Sequence, residues 1–124
     1  CAAVANVFFN YGMYLDSGDA KFLDIAELSL FNNSLAGINL HGDRFFYVNP
    51  LEADGVRRFN HGNGGRAKWF GCACCPPNIS RLILQVPGYM YAYSKDRVYL
   101  TLYGDNYSSG RNPCETGANF CLSV

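Results

Sequence analysis

The stretch that decides the fold is Trp69-Phe70-Gly71-Cys72-Ala73-Cys74-Cys75-Pro76-Pro77-Asn78-Ile79-Ser80-Arg81. Three cysteines fall within four residues, and two of them are adjacent. Adjacent cysteines rarely bridge each other, because the short ring strains the disulfide geometry. Both thiols of the Cys74-Cys75 pair are therefore available to hold a metal, to bond elsewhere or to attack an electrophile.

A helix is predicted to follow the cysteine pair. Two prolines come next, and their fixed φ and missing N–H groups suit the start of a helix. Asn78 is the candidate N-cap of a helix over about residues 79–86, which Pro87-Gly88 ends. Thiols just before a helix N-terminus lie at the positive end of its dipole, which favours the thiolate over the thiol.

The six cysteines lie at positions 1, 72, 74, 75, 114 and 121. They could form a disulfide framework, but their clustering argues against one, because such frameworks spread cysteines along a small chain. Metal binding or catalysis is favoured for the central group, with disulfides and inert packing as alternatives. Cys72, Cys114 and Cys121 have no assigned role.

Composition bounds the classes of function. The 124 residues carry ten basic and ten acidic side chains, so the formal net charge is zero. This balance gives no indication of nucleic-acid or membrane-surface binding, and no apolar run approaches the roughly 20 residues of a membrane span. We see no signal peptide and interpret the chain as a fragment, so cytoplasmic, periplasmic and secreted locations all stay open.

Helices are predicted first along the chain. Apolar residues at spacings of three and four predict a helix from Ala2 to about Leu15, and Asp19 can cap a second over about residues 20–32. The short link makes them an antiparallel pair. A β-hairpin is predicted over about 38–48, followed by a glycine-rich loop over 52–68.

The remainder is predicted to be β structure and then irregular. Aromatic and β-branched residues over 89–93 and 97–103 predict two strands. Glycine, serine, asparagine and proline dominate from Gly104 onward, so residues 104–124 are predicted to be an irregular tail.

Several segments together resemble glycoside hydrolase family 127, the β-L-arabinofuranosidase family. They are Gly18-Asp19-Ala20-Lys21-Phe22-Leu23-Asp24, Glu27, Phe45-Phe46-Tyr47-Val48-Asn49-Pro50-Leu51 and Cys74-Cys75-Pro76-Pro77-Asn78-Ile79-Ser80-Arg81. The resemblance covers about residues 1–103. It implies a mixed α and β chain: residues 1–88 as the C-terminal part of an (α/α)6 helical-barrel catalytic domain with a β-hairpin insertion, then the first strands of a β-sandwich domain over 89–103.

The resemblance also implies a function, a retaining glycosidase acting on an oligosaccharide or glycoconjugate through a cysteine nucleophile at a zinc site. Cys1, Cys74 and Cys75 match the family's cysteine ligands, and Cys74 matches the nucleophile. Glu27 and Tyr47 match positions that contact the sugar. The glutamate ligand and the general acid/base of the family fall outside this chain, which alone is expected to be inactive.

Other interpretations stay open beside this one. Cys1, Cys72, Cys74 and Cys75 could form a closed structural zinc site, although the Cys-x-Cys-Cys spacing is unusual for one. Tyrosine and tryptophan side chains could instead make a non-catalytic carbohydrate-binding module. Taken singly, Glu27 would be an exposed helix carboxylate and Tyr47 a core aromatic. The two histidines would be solvated in turns, and Arg81 could pair with a carboxylate near the site or form a surface salt bridge.

Overall fold

The computed structural model describes residues 1–95, 97–105, 107–111 and 119–123. The chain divides into two compact units, Cys1–Leu84 and Gln85–Val124. Helices dominate the first unit, and short antiparallel strands make up the sheet structure of the second. Within the described ranges, no helix is both long enough and apolar enough to cross a bilayer.

Two packed helices open the first unit, as predicted. Helix α1 spans Ala2–Ser17 and buries Val4, Val7 and Tyr14, while α2 spans Lys21–Ser29. The turn between them places Gly18 at φ 71°, a left-handed conformation that glycine adopts without a steric penalty. The predicted cap is also present, since the Asp19 carboxylate accepts a hydrogen bond from the Lys21 backbone N–H at 3.0 Å.

The second helix is less regular than predicted. Its α geometry ends at Ser29, and the chain continues as a π-helical turn over Leu30–Ser34 and a 3₁₀ turn over Leu35–Gly37. Leu30 and Ser34 in the π turn are nearly fully buried. The irregular turns therefore carry the chain from α2 into the loop region without exposing this part of the core.

The prediction of a β-hairpin over 38–48 is wrong in extent. Only single bridges form, Ile38 with Phe45 and Phe45 with Ala67. Side chains replace the strand ladder: the Asn39 Oδ1 accepts from two turn N–H groups, and Asn60 bonds the backbone of Phe45 and of Tyr47. Because asparagine side chains compete for backbone groups in this way, a regular ladder does not extend.

Helix α3 spans Cys75–Gln85 and begins earlier than predicted. Cys75 is its first residue, so Asn78 lies inside the helix and is not its N-cap. Ile79 and Leu82 form its buried face. A 3₁₀ turn over Val86–Tyr89, which contains Pro87, follows the helix.

Antiparallel strands form in the second unit. Strands β1 (Tyr91–Tyr93) and β2 (Val98–Leu100) pair as predicted but are shorter. Strands β3 (Tyr107–Arg111) and β4 (Asn119–Ser123) also pair, in the stretch that was predicted to be irregular. That prediction was wrong for these residues, because the sequence there contains residue types that favour strands, tyrosine at 107 and phenylalanine at 120, among the glycine and serine.

Candidate functional site

Three cysteine sulfurs converge in the first unit. The Sγ atom of Cys1 lies 2.8 Å from that of Cys74 and 3.6 Å from that of Cys75, and the Cys74 and Cys75 sulfurs are 4.0 Å apart. Cys1 is exposed, Cys74 half-buried and Cys75 buried. Residues 73 positions apart in the sequence therefore meet in one sulfur cluster, defined here as Cys1, Cys74 and Cys75.

Helix ends create this convergence. Cys1 is the N-cap residue of α1, and Cys75 is the first residue of α3, so two helix N-termini meet at the sulfurs. The positive ends of both dipoles favour thiolates there. Burial acts in the opposite direction and raises the pKa of the Cys75 thiol, with the neighbouring Cys74 thiol adding to the rise. A cation bound at the sulfurs would favour the thiolate form.

The sulfur cluster fits a zinc ion. Its three ligand atoms lie within 4.8 Å of one another. Zn–S bonds of about 2.3 Å put the thiolates of a tetrahedral site about 3.8 Å apart, and the two separations from Cys75 bracket this value. The separation between Cys1 and Cys74 is shorter and would widen on binding. Soft sulfur donors suit zinc, and a site with three protein thiolates leaves one position for a further ligand.

Tyr47 lies against the cluster. Its hydroxyl donates a hydrogen bond to the Cys72 Sγ at 3.5 Å, and its carbonyl accepts one from the Cys75 Sγ at 3.5 Å. Hydrogen bonding to Cys72 and then to Cys74, together with electrostatic interaction with both groups, raises the pKa of Tyr47 well above its ordinary value. The phenol therefore stays protonated and can donate. Tyr47, Cys1 and Cys75 line the same open cleft of about 700 Å³.

Asn78 and Arg81 extend the site along α3. The Asn78 amide donates to the Cys1 Sγ at 3.0 Å, and the Arg81 guanidinium donates to the Asn78 Oδ1 at 3.0 Å. The sequence had predicted other roles, a helix cap for Asn78 and a carboxylate partner for Arg81. Among the residues that the structure describes, these two side chains instead form a relay that ends on a sulfur.

His61 and Phe70 surround the Tyr47 ring. The ring centroids of Tyr47 and His61 are 4.2 Å apart, and those of Tyr47 and Phe70 are 5.4 Å apart. His61 is exposed, as predicted for a residue in a glycine-rich turn, and it has a positive φ of 49°. Its contact with Tyr47 was not predicted, because a histidine in such a loop carries no sequence signal for its partner.

Glu27 lies apart from the sulfur cluster. It lines a separate open cavity of about 300 Å³ with Asp24, Leu28 and Phe31. The described chain therefore brings Tyr47 to the cysteines but does not bring Glu27 there. Cys72 is the opposite case, since it had no predicted role and meets the Tyr47 hydroxyl. Its Cys-x-Cys spacing from Cys74 was the available signal.

Comparison with known proteins gives the same family that the cysteine stretch resembles. The family model described as "Beta-L-arabinofuranosidase, GH127 catalytic domain" matches residues 1–88. The chain belongs to this family. The non-reducing end beta-L-arabinofuranosidase of Bifidobacterium longum subsp. longum is 44% identical over 95 residues, which cover 73% of this chain and 14% of that protein. The GH127 chain described here thus spans about one seventh of the length of this curated relative.

Solved structures show the same likeness. A GH127 beta-arabinofuranosidase superposes with a TM-score of 0.79 at 45% identity, covering 90% of this chain and 16% of that one. A glycoside hydrolase gives a TM-score of 0.86 at 35% identity, with coverages of 99% and 20%. The GH127 beta-L-arabinofuranosidase from Geobacillus stearothermophilus T6 gives 0.78 at 37% identity, with coverages of 91% and 18%. The mixed helical and small-sheet fold is therefore one that glycoside hydrolases contain.

Proposed function

We propose that the protein carrying this chain is a retaining glycoside hydrolase that releases β-L-arabinofuranose, or a related sugar, from an oligosaccharide or glycoconjugate. The observation that carries the proposal is the sulfur cluster, three ligand atoms within 4.8 Å of one another. Membership of the GH127 family and relatives named as beta-L-arabinofuranosidases support the reaction class.

Cys1, Cys74 and Cys75 are proposed as zinc ligands. When bound, the ion supplies the positive charge that ionises neighbouring thiols near neutral pH. The three cysteines would hold it at the starts of α1 and α3, where both helix dipoles support negative charge on sulfur. The family's glutamate ligand is proposed to come from outside this chain.

Cys74 is proposed as the nucleophile, since it is less buried than Cys75 and lies beside the Tyr47 hydroxyl. Its thiolate attacks the anomeric carbon, the C–S bond forms, and the leaving oxygen departs with a proton from a general acid outside this chain. Water then displaces the sulfur from the same carbon, giving up its proton to the conjugate base. Two inversions at one carbon retain its configuration.

Tyr47 and Glu27 are proposed to bind the sugar. The Tyr47 hydroxyl donates its one proton to Cys72, so its oxygen can accept a hydrogen bond from a sugar hydroxyl beside the cluster. Glu27 offers a half-buried carboxylate that can accept hydrogen bonds from hydroxyls, in a cavity separate from the sulfur cleft. An oligosaccharide that reaches both would extend beyond one sugar unit.

The larger architecture is also a proposal. We assign residues 1–88 to the C-terminal part of an (α/α)6 barrel, and residues 89–103 to the first strands of a β-sandwich. The α1–α2 pair and the strand pair β1–β2 support these two assignments. The alternative of a closed four-thiolate zinc module has less support, because the cluster of sulfurs found in the described ranges does not include Cys72.

Replacement of the proposed nucleophile tests the function. In the protein carrying this chain, Cys74→Ser is expected to lower kcat/KM for an aryl β-L-arabinofuranoside by at least about 1,000-fold, since a serine hydroxyl is not ionised near neutral pH. Mass spectrometry of quenched turnover should show a sugar adduct on the unsubstituted protein at Cys74. The control is Cys121→Ser, at a cysteine with no proposed role. Hydrolysis that continues at the control rate in Cys74→Ser would remove the nucleophile assignment.

A further inference from the structure

We infer that Asn78, oriented by Arg81, is a positioning residue for Cys1: its amide N–H holds the Cys1 sulfur in the place of a metal ligand. The inference rests on the proposed zinc site. It starts from two distances, 3.0 Å from the Asn78 Nδ2 to the Cys1 Sγ and 3.0 Å from the Arg81 Nη1 to the Asn78 Oδ1.

Chemistry fixes the direction of this relay. A guanidinium has only donors, so the side facing Arg81 must be the Asn78 carbonyl oxygen. The amide NH₂ group then necessarily faces Cys1. Arg81 lies three residues after Asn78, on the same side of α3, which makes the contact local and reproducible. The Cys1 sulfur therefore faces an N–H donor, and a thiolate is a good acceptor for such a donor.

The position of Cys1 explains why such a contact matters. Cys74 and Cys75 are adjacent in the chain and enter the cluster from one segment, whereas Cys1 comes from the start of α1 and is exposed. Asn78 extends from α3 to this third sulfur and ties it to the segment that holds the other two. Side chains that hydrogen-bond to metal ligands orient them, and their loss typically costs about 10- to 100-fold in metal affinity.

Cobalt(II) substitution tests the inference with a readout other than hydrolysis. The protein carrying this chain would be loaded with Co²⁺, the thiolate-to-cobalt charge-transfer band recorded, and the affinity measured by competition with a chromogenic chelator. Asn78→Ala is expected to weaken affinity about 10- to 100-fold and to move the band to longer wavelength, because a thiolate that loses its N–H donor becomes a stronger electron donor.

Three further variants separate hydrogen bonding from packing. Asn78→Asp keeps the side-chain shape and the contact with Arg81 but faces Cys1 with an oxygen, so it should weaken affinity at least as much as alanine does. Arg81→Ala should produce a smaller shift in the same direction, and Arg81→Lys should restore most of the affinity through its cationic donor. Arg58→Gln removes a positive charge from an exposed loop position and serves as the charge-matched control.

The outcomes distinguish this inference from the function on which it rests. Suppose that the unsubstituted protein shows the thiolate-to-cobalt band and that Asn78→Asp has the same band wavelength and the same cobalt affinity. In that case Asn78 does not position Cys1, and the proposed zinc site is unaffected. If the unsubstituted protein gives no thiolate-to-cobalt band, both ideas fail together. Circular dichroism of each variant identifies loss of folding. Asn78→Asp has the same shape as the original side chain, so its charge-transfer band is the measurement that tests the role of the Asn78 N–H.

Discussion

Asn60 is the residue that fixes Tyr47 beside the sulfur cluster. It is fully buried, at 0% exposure. Its Oδ1 accepts from the Tyr47 N–H at 2.8 Å, and its Nδ2 donates to the Gly65 carbonyl at 2.8 Å and the Phe45 carbonyl at 3.2 Å. Tyr47 in turn accepts a hydrogen bond from Cys75 through its carbonyl. One amide therefore connects the loop over 52–68 to the site.

Asn60→Ala is expected to lower the free energy of unfolding by at least about 2 kcal/mol, because each buried backbone group left without a partner costs about 1–3 kcal/mol. Urea denaturation of the protein carrying this chain measures the change. Asn32→Ala, at an exposed asparagine, is the control and should stay within about 0.5 kcal/mol of the unsubstituted protein.

Asn60→Asp refines the same test. It keeps the acceptor for the Tyr47 N–H but points a carboxylate at two carbonyl oxygens, which raises the pKa of the new carboxyl in the folded state. Its stability should therefore be greatest below about pH 4, the ordinary carboxyl value, and should fall as the pH rises through the raised folded value. If alanine at this position behaves like the Asn32 control, Asn60 does not anchor the loop.

At the scale of elements, helix periodicity predicted α1 well, whereas the strand pattern over 38–48 predicted more β structure than forms. The apolar spacing in α1 gave its start, and the glycine after it gave its end. The hairpin predicted over 38–48 failed because two asparagine side chains take the backbone bonds that a ladder would use. Nothing in a sequence distinguishes Asn60 from an exposed asparagine until the loop that buries it is known.

The sequence predicted the positions of the site's sulfurs but not the partners of its other side chains. Adjacent cysteines followed by two prolines marked the position of the sulfurs, and the pairing with Cys1 came from the family resemblance, because no local pattern connects residues 73 positions apart. Asn78 had a local signal for capping that proved misleading. Its amide N–H instead contacts Cys1, the residue just before another helix. Long-range partners of this kind are decided by tertiary packing.

Gly12 inside α1 and Gly18 just after it allow an element-scale prediction in which substitution has opposite effects on stability. Gly12 lies inside the helix with open space around its Cα, so Gly12→Ala is expected to raise the free energy of unfolding by about 0.5–1 kcal/mol. Gly18 has a φ of 71° at the helix end, so Gly18→Ala is expected to lower it by about 1–2 kcal/mol. Denaturant unfolding of the pair checks both. Equal signs would mean that backbone conformation does not control this helix end.

At the scale of the whole molecule, the proposed metal joins chain segments that are distant in sequence, all within the unit Cys1–Leu84. Removing the metal should release Cys1 from the Cys74-Cys75 pair, because metal binding stabilises the folded arrangement in which the three cysteines lie together. Hydrogen exchange with and without a chelator is therefore expected to accelerate in the first turns of α1 and α3, while β1 and β2, which carry no proposed ligand, keep their rates. Added zinc should restore protection, and Cys1→Ser should reproduce the chelated pattern without chelator. Equal acceleration in the strands, or none near Cys1, would mean that no metal ties these segments together.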